Sequence, residues 1–263
     1  MHKDAFLTAR ESPGLPPALD AQSALFLDVD GTLLEIAPRP EFVHIPPGLP
    51  ALIARLAKQR EGALALISGR PLAQLDLLFQ PWRGAAAGLH GIERRRADGT
   101  FECVVDSASQ AALGRIRAEL AELVGEGRGL ILEDKGGTVA IHYRTVPERE
   151  VEIRAFVEAL HREVGGALRL IAGKMVFEFQ PRGVHKGRAI AAFLAEPPFL
   201  GRRPVFVGDD TTDEDGFAEI RRRDGIAIRV GFSRETAANY CLPSVDAVLA
   251  WLAEPACPKH RLG

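Results

Sequence analysis

The sequence predicts an α/β fold, a doubly wound parallel sheet with a smaller α+β insertion, and three observations predict it. Short apolar runs without polar alternation recur at 24–30 (ALFLDVD), 63–68 (ALALIS) and 205–210 (VFVGDD), as strands buried on both faces require. Segments of helical period such as LPALIARLAKQR lie between them and supply crossovers. From about Val104 to about Pro181 the order changes to helix, two strands, helix, two strands.

Taken in order, residues 1–23 carry proline and glycine and no long apolar run, and are read as a flexible start. Residues 24–103 and 182–263 are assigned to the core, and 104–181 to the insertion. Within the insertion the helices are ASQAALGRIRAELAELV and PEREVEIRAFVEALHREV, and the strands LILEDK, TVAIHYR, ALRLIA and KMVFEF. Gly136-Gly137 reads as a two-residue hairpin turn that sets Lys135 opposite Thr138. That register puts Glu133, Lys135 and His142 on one face and Leu132, Val139, Ile141 and Tyr143 on the other, against the helices. Glu178 falls on the polar face of the last strand.

A chain of 263 residues, 46% hydrophobic, has room for one large or two modest domains. A net charge of −2 gives no footing for nucleic acid or an anionic membrane as the main partner. Three scattered cysteines, Cys103, Cys241 and Cys257, argue against a disulfide framework and a thiolate metal site, and a reducing cytoplasm is the simplest home. No run reaches the roughly 20 apolar residues of a membrane span.

The chemistry concentrates at strand ends. In LFLDVDGTLLEI, Asp28 and Asp30 are two residues apart on a strand, so they share a face about 6–7 Å apart. At an effective dielectric near 20 they repel by roughly 2–3 kcal/mol, which calls for a nearby cation or a retained proton. A turn-capping role for Asp30 and Thr32 is the plain alternative. A calcium loop fails, because its glycine and closing glutamate positions fall on Leu33 and Arg39. In ISGRPLAQLDLLF, Ser68 and Gly69 precede Pro71 at a helix start, where free N–H groups favour an anion, although Ser68 alone reads as a cap. Lys186 opens a helix, where the dipole disfavours a cation unless a phosphate is near. VFVGDDTTDEDGF adds Asp209, Asp210, Asp213, Glu214 and Asp215 behind an apolar strand. An all-oxygen donor set without a His/Cys cluster favours magnesium.

The order Asp-x-Asp-Gly-Thr, Ser-Gly-Arg, Lys-Gly, Gly-Asp-Asp-x-Thr-Asp-Glu resembles the haloacid dehalogenase superfamily, and within it the trehalose-6-phosphate phosphatases. DVDGTLLEIAPRP, GALALISGR, AGLHGIERR, LEDKGGTVAIHYR, FEFQPRGVHKGRAIAAF and PVFVGDDTTDEDGF are similar to that family's blocks, in order, from about Leu25 to about Trp251. The resemblance implies a Rossmann-like core with an inserted cap that sets specificity. It implies Mg2+-dependent hydrolysis of trehalose 6-phosphate to trehalose and phosphate, with Asp28 as nucleophile and Asp30 as general acid and base. It further implies Mg2+ on the Asp28 carboxylate, the Asp30 carbonyl and Asp209, with Asp213 in the outer shell, and Ser68, Gly69 and Lys186 around the phosphoryl group. Glu133, Lys135 and Glu178 correspond to the sugar-binding trio, a surface ion-pair cluster being the alternative. A functional association with the trehalose-6-phosphate synthase belongs to the same expectation. Val29 and Glu35 depart from the family's common aromatic and proline without touching these residues. His90, His142, Arg144, Arg182 and His185 have no assigned role. Other readings are a phosphatase for sucrose or mannosylglycerate phosphate, a silent sugar-phosphate sensor or synthase subunit, and a phosphomutase.

Overall fold

Alternate residues of the first apolar run part company: Leu25 and Leu27 enter one hydrophobic core and Ala24 and Phe26 another, and all four are fully buried. A strand covered on both faces has this pattern, which is why its sequence carries no polar alternation. The computed structural model describes residues 14–36, 42–125, 129–173, 175–233 and 235–255.

The strands in chain order are β1 (Ala24–Leu27), β2 (Leu64–Ile67), β3 (Ala85–Gly88), β4 (Glu93–Arg95) and β5 (Phe101–Cys103). Next come β6 (Ile131–Asp134), β7 (Val139–His142), β8 (Leu168–Gly173) and β9 (Val176–Pro181). The last are β10 (Pro204–Gly208), β11 (Ile226–Val230) and β12 (Tyr240–Leu242). The helices are α1 (Leu49–Gln59), α2 (Leu72–Leu78), α3 (Ser107–Gly125), α4 (Glu150–Glu163), α5 (Lys186–Leu194), α6 (Glu214–Arg221) and α7 (Val245–Ala253).

Eight strands form one sheet in the order β12-β11-β10-β1-β2-β3-β4-β5. It is parallel from β12 to β3, and β4 and β5 add antiparallel at one edge. One face packs on α1, α2 and α7 through residues such as Ile53, Leu75 and Val248. The other packs on α5 and α6 through Ile190, Phe193, Phe217 and Ile220. The chain leaves β1 for β2 on one side and reaches β10 on the other, so the carboxyl ends of β10, β1 and β2 lie side by side at the switch point.

The strands from Ile131 to Pro181 form a second, antiparallel sheet of four, in the order β6-β7-β9-β8. Lys135 N–H donates to Thr138 carbonyl at 3.1 Å, with Gly136 at φ 78°, as the hairpin reading expects. Val139, Ile141, Phe177 and Phe179 pack on Ile116, Leu120, Ile153 and Val157 of α3 and α4. The pairings Glu133↔Ala140↔Glu178↔Ile171 place both glutamates in one row across the opposite face. The strand expected to start at Lys174 starts at Val176 instead, because Met175 takes a left-handed φ of 60° in the turn. Lys174 itself lies outside the described residues.

Residues 1–13 of the segment expected to be flexible also lie outside the described residues. Its remainder, 14–23, is fastened instead: Cys241 N–H donates to Gly14 carbonyl and Trp251 Nε1 to Pro17 carbonyl, each at 3.0 Å. The edge strand β12 offers unpaired backbone groups, and a proline-bearing extended segment satisfies some of them. Cys103 and Cys241 are free thiols, and Cys257 lies outside the described residues. Among the described residues no helix is long and apolar enough to cross a membrane.

Candidate active site

Because β1 and β10 are neighbours in register, the residues following them converge. Asp28 still donates its N–H to Val207 carbonyl (2.9 Å), and its carboxylate lies beside Asp209 and Asp213, with ligand oxygens of the three within 4.8 Å of one another. Gly31 makes the approach possible: at φ 79° a Cβ there would fall 2.0 Å from Asp209 Oδ2. Lys186, at the first position of α5 and 3% exposed, donates to Asp28 Oδ1 at 2.7 Å and to Asp213 Oδ1 at 2.6 Å. Thr32 Oγ1 donates to Asp28 Oδ2 at 3.1 Å. Asp213, fully buried, accepts at Oδ2 from the N–H groups of Asp209 and Asp210, both at 3.0 Å, which fixes the acidic turn.

Burial raises the Asp28 carboxyl well above the usual range; Lys186 opposes this, and Asp213 and Asp209 add to it. Burial followed by Asp213 raises Asp209 to about 6. Burial alone would lower the Lys186 ammonium, but Asp213 and Asp28 outweigh it and raise it. Three carboxylates against one ammonium leave two negative charges when all are ionised, the charge of one divalent cation. The donors are all hard oxygens, so the residues present fit Mg2+.

Asp30 does not share that cluster through its side chain. Both its oxygens accept from Arg70, Nε to Oδ2 at 2.7 Å and Nη2 to Oδ1 at 2.6 Å. The repulsion expected between Asp28 and Asp30 is therefore met twice over, by Lys186 for one and Arg70 for the other. Arg70 stands in the Ser-Gly-Arg block, where spacing alone does not show which acid its guanidinium will meet.

The anion-site reading of the β2 end changes. Ser68 N–H donates to Ala87 carbonyl, Arg70 N–H to Ser68 Oγ (3.1 Å) and Leu72 N–H to Glu93 Oε2 (2.7 Å). Strand pairing and Glu93 thus take donors expected to be free, while the Ser68 hydroxyl, which accepts from Arg70, still has a proton to donate, and a Cβ on Gly69 would fall 2.8 Å from His90 Nε2. His185 precedes α5 and its Nδ1 accepts Arg188 N–H at 3.3 Å, capping the helix that carries Lys186.

The polar face of the second sheet meets this end of the core. Arg169 Nη2 donates to Val184 carbonyl at 2.9 Å, two residues before Lys186, and a Cβ on Gly137 would lie 2.5 Å from Ile92 Cγ2. His90 lies between: burial first, then the Lys186 charge, lower its imidazole to about 4, and Glu178, Lys135 and Arg169 also act on it. Leu89 and His90 both have left-handed φ, 49° and 58°, and His90 Nδ1 is buried without a partner. Strain of this kind in a residue without glycine's freedom marks functional sites. No local pattern in the sequence announces it. Lys135 Nζ stands 3.5 Å from Glu133 Oε2 and 3.8 Å from Glu178 Oε1, and His142 Nε2 is 2.9 Å from Glu133 Oε2.

A buried strand-end carboxylate, a second acid paired with arginine, a buried lysine and a cluster of three carboxylates beneath a polar sheet face are parts suited to phosphoester chemistry. Residues 26–246 match the family described as trehalose-phosphatase. The chain is 47% identical over 209 residues to a probable trehalose-phosphate phosphatase of Sinorhizobium fredii, covering 79% of this chain and 77% of that one. It is 41% identical over 236 residues to the trehalose-6-phosphate phosphatase of Escherichia coli, covering 90% and 87%. A solved trehalose-6-phosphate phosphatase related protein superposes with a TM-score of 0.71 and 26% identity, over 87% of this chain and 94% of that one.

Proposed function

The chain belongs to the trehalose-phosphatase family, and from that premise we propose that it hydrolyses trehalose 6-phosphate to trehalose and inorganic phosphate with Mg2+ as cofactor. The observation that carries the reading is Lys186 bridging Asp28 and Asp213 at 2.7 and 2.6 Å, beside Asp209, at adjoining strand ends. Residues 24–103 and 182–263 act in this reading as the catalytic core and 104–181 as the cap over it. The functional association with the synthase that makes this substrate belongs to the same reading; no described residue is assigned to it.

Asp28 supplies the attacking oxygen: a bond forms from its carboxylate to phosphorus, and the bond from phosphorus to the sugar oxygen breaks. With one of its two bonds to Arg70 open, Asp30 takes a proton from solvent and delivers it to that leaving oxygen. In the second half Asp30 accepts a proton from water, whose oxygen attacks phosphorus; the bond to Asp28 breaks and phosphate leaves. Ser68 Oγ and Lys186 Nζ donate to the phosphoryl oxygens, with Lys186 offsetting charge that builds in the transition state. Asp28, the Asp30 carbonyl and Asp209 would hold Mg2+. Asp213, with both oxygens already engaged by protein donors, orients Lys186 and the acidic turn. When bound, Mg2+ supplies positive charge that neutralises the carboxylates and the phosphoryl oxygens. Glu133, Lys135 and Glu178 present two acceptors and a donor to sugar hydroxyls from the cap.

Phosphate release from a panel of trehalose 6-phosphate, sucrose 6-phosphate and mannosylglycerate phosphate, with Mg2+ and with chelator, tests the whole. Release from trehalose 6-phosphate alone, lost with chelator, is expected. Equal rates across the panel would remove the cap trio from substrate selection.

Proton competition gives a further expectation. The metal-free Asp209 carboxyl holds its proton up to about pH 6, whereas a ligating carboxylate must be ionised. Mg2+ affinity is therefore expected to fall by about tenfold per unit below pH 6 through Asp209, and more steeply wherever Asp28, whose carboxyl burial also raises, takes up its proton as well. Calorimetric titration at pH 5, 6 and 7 checks this, and an affinity unchanged over that range would contradict the cluster's role.

A further inference from the structure

His142 is a polar residue of the cap sheet that the reaction described above leaves unused. It belongs to the outer row of the polar face, opposite Ile131 and Val176, and is the diagonal cross-strand neighbour of Glu133. Its Nε2 meets Glu133 Oε2 at 2.9 Å, and Lys135 Nζ meets the same oxygen at 3.5 Å. Both contacts fall on Oε2, which leaves Oε1 for a ligand hydroxyl. A glutamate side chain alone on a half-exposed strand samples several rotamers and forfeits that freedom when it binds. With His142 on one side of Oε2 and Lys135 on the other, that freedom is already restricted.

We propose that His142 is a positioning residue for substrate selection: it donates Nε2–H to Glu133 Oε2 and thereby presents Glu133 Oε1 to a hydroxyl of the sugar. The inference rests on the proposed sugar-phosphate activity and assigns the cap trio a fourth member that acts through Glu133. Glu133 is held below the usual carboxylate range, the bond from His142 being the largest cause. That keeps it an acceptor, as a sugar hydroxyl requires.

The test compares His142→Gln, His142→Asn and His142→Ala by the ratio of kcat/KM for trehalose 6-phosphate to kcat/KM for p-nitrophenyl phosphate, which has no sugar to select. Glutamine places an amide N–H near the position of imidazole Nε2, and asparagine places one near Nδ1, away from Glu133. The ratio is expected to fall about tenfold in His142→Asn and His142→Ala, mostly through KM for the sugar phosphate, and to stay within about twofold in His142→Gln. An unchanged ratio in His142→Asn overturns the proposal. So does an equal fall in His142→Gln and His142→Asn, which would mark His142 as packing. A wild-type chain that turns over p-nitrophenyl phosphate but shows no preference for trehalose 6-phosphate overturns the substrate reading itself, and this inference with it.

Discussion

Asp28→Asn is expected to reduce phosphate release from trehalose 6-phosphate by about four orders of magnitude or more, because the amide has no anionic oxygen with which to attack phosphorus. The same change is expected to leave the melting temperature of the metal-free protein level or raise it. Asp28 is buried, and burial with Asp213 and Asp209 nearby makes its ionised form unfavourable there. A neutral isostere removes one negative charge from the cluster, while Lys186 keeps its bond of 2.6 Å to Asp213. Activity and stability thus move in opposite directions, as strained catalytic groups do. Phosphate assays and thermal melts in chelator, on the same preparations, check both arms. Turnover within tenfold of wild type would exclude Asp28 as nucleophile, and a large drop in melting temperature would show that its charge holds the fold.

How far the sequence discloses this arrangement depends on what each residue contributes locally. β1, β2 and β10 are legible because Leu, Ile, Val and Phe run without interruption where both faces are covered. The hairpin of β6 and β7 is legible from Gly136-Gly137 and the alternation around it. β3 is not legible: its residues are Ala85, Ala86, Ala87 and Gly88, with no strand preference of their own, and their strand form comes from pairing with β2. β4 and β5 are charged or short edge strands, and Arg94 is stabilised by Glu102 and Glu196 rather than by apolar contact. At the site, Asp28, Lys186, Asp209 and Asp213 could be named from motif order and the structure brings them together. Arg70 on Asp30, Glu93 on Leu72 and the left-handed turn at His90 depend on contacts 21 or more residues away or on backbone conformation. No window of local sequence contains them.

Lys186→Ala is expected to cost the metal-free protein about 3–5 kcal/mol of stability, the range for removing one partner from a buried charge cluster. Its ammonium is 3% exposed and faces Asp28 and Asp213, themselves almost wholly buried, so the change leaves both without a cation and opens a void at the start of α5. For a chain of 263 residues that corresponds to a fall in melting temperature of roughly 6–20 °C. Phosphate release is expected to fall as well, since the ammonium that donates to the phosphoryl oxygens and offsets part of the transition-state charge is gone. Adding Mg2+ should recover part of the lost stability without restoring turnover, because a cation among the carboxylates relieves their repulsion but does not reach the phosphoryl oxygens from the lysine side. The double variant Asp28→Asn/Lys186→Ala should melt higher than Lys186→Ala alone in chelator, since one of the two stranded carboxylates is gone. A gain from Asp28→Asn no larger in the Lys186→Ala background than in wild type would show that Lys186 and Asp28 do not act as a unit, and an unchanged melt for Lys186→Ala would show that the buried ammonium does not hold the carboxylates together.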